Sequence, residues 1–272
     1  MKKTLCMLGF SNAKINIGLN ILEKRPDGYH NIESLFYPVS WSDILEVVPA
    51  STFSFHCTGL PIPGSQENNL IYKAWNLIKP TDKAVEIHLH KILPMGAGIG
   101  GGSSNGAFAL NLINEVLELG YQKESLLDLA SRLGSDCPFF IENRPMICLE
   151  KGNIFRETTV SLRGKYIVMV NPEIHVSTAE AYSGVIPTPS PTPLKDVLEN
   201  TPIEHWRDAV KNDFEAGIVK KYPLIGEIKD ELYAKGALYA SMTGSGSTVY
   251  GIFSETLTLS FPDFIVWKGK LD

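Results

Sequence analysis

Cysteine is scarce in this 272-residue chain: only Cys6, Cys57, Cys137 and Cys148, with no two in a CxxC pair. That excludes a disulfide scaffold and predicts reduced thiols in a cytoplasmic protein. Long apolar runs are missing too. No segment approaches a membrane span, and the short apolar stretch after Met1-Lys2-Lys3 is soon broken by Gly9, Ser11, Asn12 and Lys14, so no signal peptide is expected. There is no Lys/Arg-rich run, and the formal net charge is −5, which argues against a dedicated nucleic-acid binder. An anionic small-molecule substrate stays open, because backbone N–H groups and one or two lysines can hold phosphate locally. Low-complexity tracts and internal repeats are absent. With 44% hydrophobic and 20% charged residues, the chain reads as an ordinary globular protein of one large or two modest domains.

The first part is β-rich. Thr4–Met7, Ile15–Leu22, Leu35–Val39 and Ile44–Val48 are strand candidates, and Pro26-Asp27-Gly28 is a strong turn signal. Asn69–Ile78 has a helical pattern. Val85–Lys91 alternates, with Val85, Ile87 and Leu89 on one face and Glu86, His88 and His90 on the other. Asn105–Leu119 reads as a buried helix stopped at Gly120. A second helix, Lys123–Leu133, is expected to end on a left-handed Gly134. Pro138 disfavours helix at Cys137, so Asp136 is placed in a loop before a strand Phe139–Glu142. Tyr166–Val170 is a buried strand, Pro187–Pro193 a loop, and Ile203–Lys220 and Leu224–Lys235 are helical. Leu238–Met242 and Val249–Phe253 are strands flanking a second glycine turn, Thr243–Ser247. A change of character near Lys151–Gly164 suggests a domain boundary near residue 155, giving domains 1–155 and 156–272.

The richest signal is Pro94–Ser104, with five glycines and two serines between a strand and a helix. Glycine admits positive φ and close backbone approach. Successive N–H groups can then form an anion nest at the positive end of the following helix. A flexible surface turn is the plain alternative, but it does not explain glycines packed between a strand and a buried helix. Gly96, Gly98 and Gly101 also satisfy GxGxxG. The dinucleotide reading then needs an acidic residue ending the next strand. Glu115 and Glu118 instead lie within the helical pattern, and no βαβ unit is expected around the turn. A P-loop needs Gly-Lys-Ser/Thr, and no lysine comes after these glycines.

Pro94–Ser104 resembles the phosphate-binding motif of the GHMP kinases. Ala13-Lys14-Ile15-Asn16-Ile17-Gly18-Leu19 resembles the N-terminal motif of that family, and Met242–Ser247 the C-terminal one. Three ordered motifs across most of the chain make the resemblance specific. Arg25-Pro26-Asp27-Gly28-Tyr29-His30 and Gly134–Phe139 resemble the signature of the branch that phosphorylates the 2-hydroxyl of a CDP-linked methylerythritol in isoprenoid precursor synthesis. The resemblance implies an α+β two-domain fold, with a ribosomal protein S5 domain 2-like N-terminal domain and a ferredoxin-like C-terminal domain. It implies ATP and Mg²⁺ as cofactors, CDP-methylerythritol as acceptor, and no nucleic-acid or membrane partner. The rivals are a mevalonate-type GHMP kinase and a non-catalytic nucleotide-binding module.

Residue roles come from the same resemblance. Asp136 matches the catalytic aspartate and Lys14 the lysine that supports it. ATP phosphates fall to Pro94, Gly96, Ala97, Gly98, Ile99, Gly100, Gly101, Gly102, Ser103 and Ser104, with Mg²⁺ near Ser103 or Ser104. Asn69, Leu70, Lys91 and Met95 match positions near adenine and ribose. Asn16, Tyr29, His30, Thr178, Tyr182, Gly244, Ser245 and Gly246 match acceptor-binding positions, with cytosine stacked between Tyr29 and Tyr182. His56, His88, His90 and Cys57 invite a metal reading, but they are taken as surface strand residues.

Overall fold

The computed structural model describes residues 6–256 and 261–272. Met1-Lys2-Lys3, and Thr4 and Leu5 of the first expected strand, lie outside them. The chain folds into two compact units that interleave along the sequence. Of the described residues, one unit takes those up to Ala13, Trp41–Met95 and Gly100–Arg144; the other takes Lys14–Ser40, Gly96–Ile99 and those from Pro145 onward. A single cut at residue 155 therefore does not coincide with them.

The expected short strands merge into two long ones. β1 (Met7–Lys24) and β2 (His30–Ala50) pair across the Pro26-Asp27-Gly28 turn, which closes through Gly28 N–H on Arg25 O at 3.1 Å. Ser11 to Leu19 of β1 are all buried, so this stretch is covered on both faces. From Trp41 onward β2 alternates instead. Trp41, Asp43, Leu45 and Val47 point inward, and one of those four is a carboxylate.

In the first unit, β3 (Ser54–Gly59), α1 (Leu70–Ile78) and β4 (Ala84–Lys91) come next. Asn69 caps α1 by accepting from Ile71 N–H at 2.9 Å. β3 runs parallel to β4, and β4 antiparallel to β2. A βαβ unit is thus present, contrary to expectation. The glycine turn leaves its second strand, however, and the chain beyond the turn is helical: α2 (Gly101–Val116), α3 (Lys123–Leu133) and α4 (Cys137–Glu142). The dinucleotide topology, with another parallel strand after the helix, is not formed. α2 begins at Gly101 rather than Asn105, so Gly101–Ser104 form its first turn.

Two local expectations fail here. Gly134 ends α3 in extended backbone, φ 174°, not in the left-handed region. Phe139–Glu142 is helical rather than a strand. Asp136 occupies the cap position of α4, where Pro138 sits in the first turn, the one place in a helix that tolerates a missing N–H and a fixed φ.

The second unit continues with β5 (Met146–Glu150), paired with β2, and β6 (Ile154–Glu157), paired with β5. Next come β7 (Tyr166–Asn171), α5 (Thr178–Ser183), α6 (Leu194–Asn200), α7 (Trp206–Ala209), α8 (Glu215–Lys221), α9 (Pro223–Ala234), β8 (Tyr239–Met242), β9 (Val249–Phe253) and β10 (Ile265–Lys270). These last strands form an antiparallel sheet in the order β10-β7-β9-β8. Ile225, Ile228 and Leu232 of α9 share a core with Val168, Val170 and Val249 of the sheet. Each such side chain contributes about 1.5–3 kcal/mol relative to exposure. The expected helix Ile203–Lys220 is broken between α7 and α8. There Asn212 Nδ2 donates to Met242 O at 2.8 Å and to Gly244 O at 2.9 Å, and Asp213 Oδ2 accepts from Ile21 N–H at 2.7 Å. Tertiary partners override helical periodicity at that point.

Candidate active site

The glycine turn starts from chemistry the strands impose. Ala97 and Ile99 are 3% and 1% exposed, so the apolar side chains of the turn are anchors; Gly96 is exposed, Gly98, Gly100 and Gly102 are half-buried and Gly101 is buried. Gly98 has φ +76°, and a Cβ there would lie 2.1 Å from Thr243 O. Thr243 belongs to the second glycine turn, so the two turns touch backbone to backbone. Thr243 Oγ1 donates to Gly98 O at 3.1 Å, and Thr248 N–H donates to Ala97 O at 3.3 Å.

β1 joins the same contact. Lys14 N–H donates to Ile99 O at 2.9 Å, and Asn16 N–H donates to Thr243 Oγ1 at 2.9 Å. Tyr250 hydroxyl closes the group by donating to Asn16 O at 2.7 Å. The side chains of Lys14 and Asn16 are 4% and 2% exposed, not the solvent-facing polar residues a strand would ordinarily carry. Lys14 Nζ donates to Asn16 Oδ1 and lies 4.3 Å from the centre of the Phe36 ring. Asn16 Nδ2 donates to Ser34 Oγ at 2.9 Å, which in turn donates to Gly18 O at 2.6 Å. Both side chains are therefore held in one orientation by a connected polar network.

Of the residues expected at adenine, Asn69, Leu70 and Met95 line a cavity of about 610 Å³ together with Gly102 and the segment Thr58–Gln66. That segment, with its Gly59-Leu60-Pro61-Ile62-Pro63 run, carried no sequence signal for a site. Asn69 Oδ1 is engaged as the α1 cap. The Lys91 side chain is 0% exposed and ion-paired with an equally buried Asp43. Burial pushes the Lys91 ammonium down from its usual range, and Asp43 pulls it part of the way back.

Asp136 is half-buried at the start of α4, with Ser135 Oγ 3.4 Å from its Oδ1. The neighbouring Cys137 is sealed in the core, and burial pushes its thiol up to about 12, which removes it as a nucleophile. Ser103 is half-buried. Ser104 is fully buried, and its Oγ has no hydrogen-bond partner among the described residues.

Tyr29 is 61% exposed, its ring 5.1 Å from Lys151 Nζ. Asp27 Oδ1 accepts from Tyr29 N–H at 3.2 Å, which fixes the turn that presents it. His30 stacks on Tyr182, with centroids 4.5 Å apart and planes at 18°, and Phe214 meets Tyr182 edge-on. Burial first, then Lys24, hold the His30 imidazole below its usual value. Thr178 is exposed at the start of α5. Gly244, Ser245 and Gly246 lie in the second turn that Asn212 and Thr243 hold. His175, which belongs to no sequence motif, covers Gly96, where a Cβ would sit 3.2 Å from its Nδ1. On the first unit, His56 and His88 both approach Glu86 Oε1, at 3.3 and 3.1 Å, on an exposed sheet face.

Comparison with known proteins bears on both ends of the chain. Residues 69–144 match the GHMP kinases N terminal domain and residues 194–258 the GHMP kinases C terminal domain. A 4-diphosphocytidyl-2-C-methyl-D-erythritol kinase of Cytophaga hutchinsonii is 47% identical over 91% of this chain and 93% of its own length. One from Parabacteroides distasonis is 45% identical over 97% of this chain and 100% of its own. A crystal structure of 4-(cytidine 5'-diphospho)-2C-methyl-D-erythritol kinase superposes with a TM-score of 0.78 at 28% identity, covering 97% of this chain and 99% of that one.

The contact between the two turns generates a direct test. Gly98→Ala combines a left-handed backbone, costing about 1–2 kcal/mol, with a clash against Thr243 O. Its denaturant midpoint is expected to fall by an amount equivalent to more than about 2 kcal/mol. An unchanged midpoint would mean that the turns do not meet as described.

Proposed function

The chain belongs to the GHMP kinases, in the branch of the 4-diphosphocytidyl-2-C-methyl-D-erythritol kinases, and from that membership we propose that it transfers the γ-phosphoryl group of ATP to the 2-hydroxyl of 4-diphosphocytidyl-2-C-methyl-D-erythritol, releasing ADP. The observation that carries this reading is the locked contact of Lys14, Asn16 and the two glycine turns. Phosphoryl transfer asks a protein mainly for positioning and charge stabilisation, and this contact fixes the backbone of the glycine turn and the Lys14 ammonium in place.

In the transfer, the acceptor oxygen bonds to the γ-phosphorus while the bond from that phosphorus to the β,γ-bridging oxygen breaks. The hydroxyl proton leaves as the new bond forms. Asp136 accepts the hydrogen bond of that hydroxyl and then its proton. Lys14 neutralises anionic charge that develops on transfer. Its role is supported by burial in a polar network that leaves the ammonium no freedom to wander. Backbone N–H groups of Gly96–Gly102 cradle the phosphates. Mg²⁺ arriving with ATP supplies charge neutralisation on the phosphate oxygens. Half-buried Ser103 fits a place near it better than Ser104, whose hydroxyl is sealed. The adenine reading rests on the 610 Å³ cavity lined by Asn69, Leu70 and Met95.

For the acceptor, exposed Tyr29 offers a stacking face to cytosine, while His30 and Tyr182 form a stacked pair that bounds the base rather than opening to sandwich it. A neutral imidazole has one donor and one acceptor for the polar edge of cytosine. Asn16, Thr178 and the backbone of Gly244, Ser245 and Gly246 complete the acceptor-binding set. No helix among the described residues is long and apolar enough to cross a membrane. All four cysteines are free, which fits a cytoplasmic site of action.

A coupled ADP-release assay with a panel of acceptors tests the assignment. Turnover is expected with the CDP-linked methylerythritol and not with mevalonate or its phosphates; the reverse pattern would transfer the chain to another branch. Asp136→Asn should lower kcat by about 10²–10⁴-fold with ATP-analogue affinity nearly intact. Undiminished turnover in that variant would remove Asp136 from the chemistry. His30 gives a pH signature. Its ordinary pKa of about 6.5 is lowered here, so the neutral form persists through neutrality. The KM for the acceptor should stay flat above that value and rise only at lower pH, as the ring gains a proton. His30→Gln should flatten the profile. An acceptor KM whose pH dependence is identical in wild type and His30→Gln would refute the role of the imidazole.

A further inference from the structure

Asp43 belongs to no motif, yet it is the buried carboxylate to which both flanks of the phosphate turn are tied. It sits on the inward face of β2, fully buried, in phase with Trp41, Leu45 and Val47. The antiparallel register ends with Ile44 opposite His90, which brings Asp43 beside Lys91 where β4 gives way to the turn. Oδ1 accepts from Ile92 N–H at 2.6 Å and from Leu93 N–H at 2.7 Å, the last two amides before Pro94. Oδ2 accepts from Lys91 Nζ and, at 2.8 Å, from Asn105 Nδ2 in the second turn of α2. Lys91 Nζ also donates to Asn105 Oδ1 at 3.3 Å, and Asn105 Nδ2 to Ser11 Oγ at 2.8 Å. Gly101 lets α2 rest directly on this group, since a Cβ there would lie 3.1 Å from Lys91 Nζ.

A fully buried ion pair is a poor source of net stability, because desolvation of both charges offsets their attraction. What it does provide is geometry. A single carboxylate with four donors fixes the exit direction of β4 and the start of α2 together. The N–H groups of the turn can cradle phosphate without reorganisation only if those two ends are fixed. We propose that Asp43, acting through Lys91 and Asn105, is a positioning residue that holds the phosphate turn in its ATP-binding geometry. This rests on the reading of Pro94–Ser104 as the ATP phosphate site.

Three proteins test it: wild type, Asp43→Asn, and the double variant Asp43→Asn with Lys91→Met. Asp43→Asn leaves the Lys91 ammonium buried and unpaired, so thermal stability should fall and the KM for ATP should rise by about 10–100-fold, in the range seen when an outer support of a site is removed. The KM for the acceptor should rise much less than that for ATP, since the acceptor set meets this turn only through the contact of Gly98 with the second glycine turn. The double variant removes both charges. It should regain thermal stability while keeping the raised KM for ATP, and it decides between the outcomes should the single variant fail to fold. Recovery of stability and ATP KM together, or stability loss in Asp43→Asn at unchanged ATP KM, would reduce the group to a structural contact and overturn the proposal. Amide NMR of the wild type with the non-hydrolysable analogue AMP-PNP separates the underlying reading. Shifts at Gly96, Gly98 and Gly100 are expected; unmoved amides would overturn both the ATP reading and the role of Asp43.

Discussion

Thr243 Oγ1, taking the Asn16 N–H and giving its own hydrogen to Gly98 O, is the contact on which the second unit turns. It ties a strand from the start of the chain, a turn from its middle and a turn near its end into one backbone assembly. Each of the three would be a liability alone. The turns consist largely of glycine and lose much conformational freedom on folding, and the strand buries a lysine. Together they satisfy one another, and the cost of ordering flexible glycine backbone is met during folding rather than when a ligand binds.

The chemistry rests on that order. A kinase for a small alcohol needs phosphate oxygens met by N–H groups already pointing at them, a cation that does not drift, and a carboxylate beside the acceptor. What the local geometry shows is a glycine turn held by its neighbours, and Lys14 held by Asn16 beside the Phe36 ring. The third rests on Asp136 at the head of α4, which the family motif singles out. In the turn Arg25–His30, Asp27 braces the backbone that displays Tyr29. On the proposed reading, cytidine recognition and phosphoryl transfer would draw on different stretches of chain.

The sequence made the motifs plain because glycine, proline and a few polar residues at fixed spacing have little use elsewhere. It made the elements less plain where neighbours overrode local preference. Pro138 argued against helix at Cys137, yet a proline in the first turn of α4 is well accommodated. Asn212 looked helical but serves as a bracket for the second turn. The interleaving of the two units could not be read from composition, because β1 and β2 each contribute to both. Lys91 looked like a nucleotide contact by its place beside the turn. The clue to its partner was present in β2, where Asp43 falls in the apolar phase of an alternating run, a position a carboxylate occupies only with partners. His30 and Tyr182 each carry a sequence signal, but their stacking on each other depends on β2 and α5, which are remote in sequence.

Preorganisation of the turns is open to direct measurement by amide hydrogen exchange in the ligand-free protein, observed residue by residue. The N–H groups of Lys14, Asn16 and Thr248 are the reporters, since each donates into the assembly of strand and turns. They should exchange as slowly as core strand amides before any nucleotide is added. Exchange at the rate of exposed loop amides, with protection appearing only on addition of ATP analogue, would contradict the account and make the cradle a product of binding.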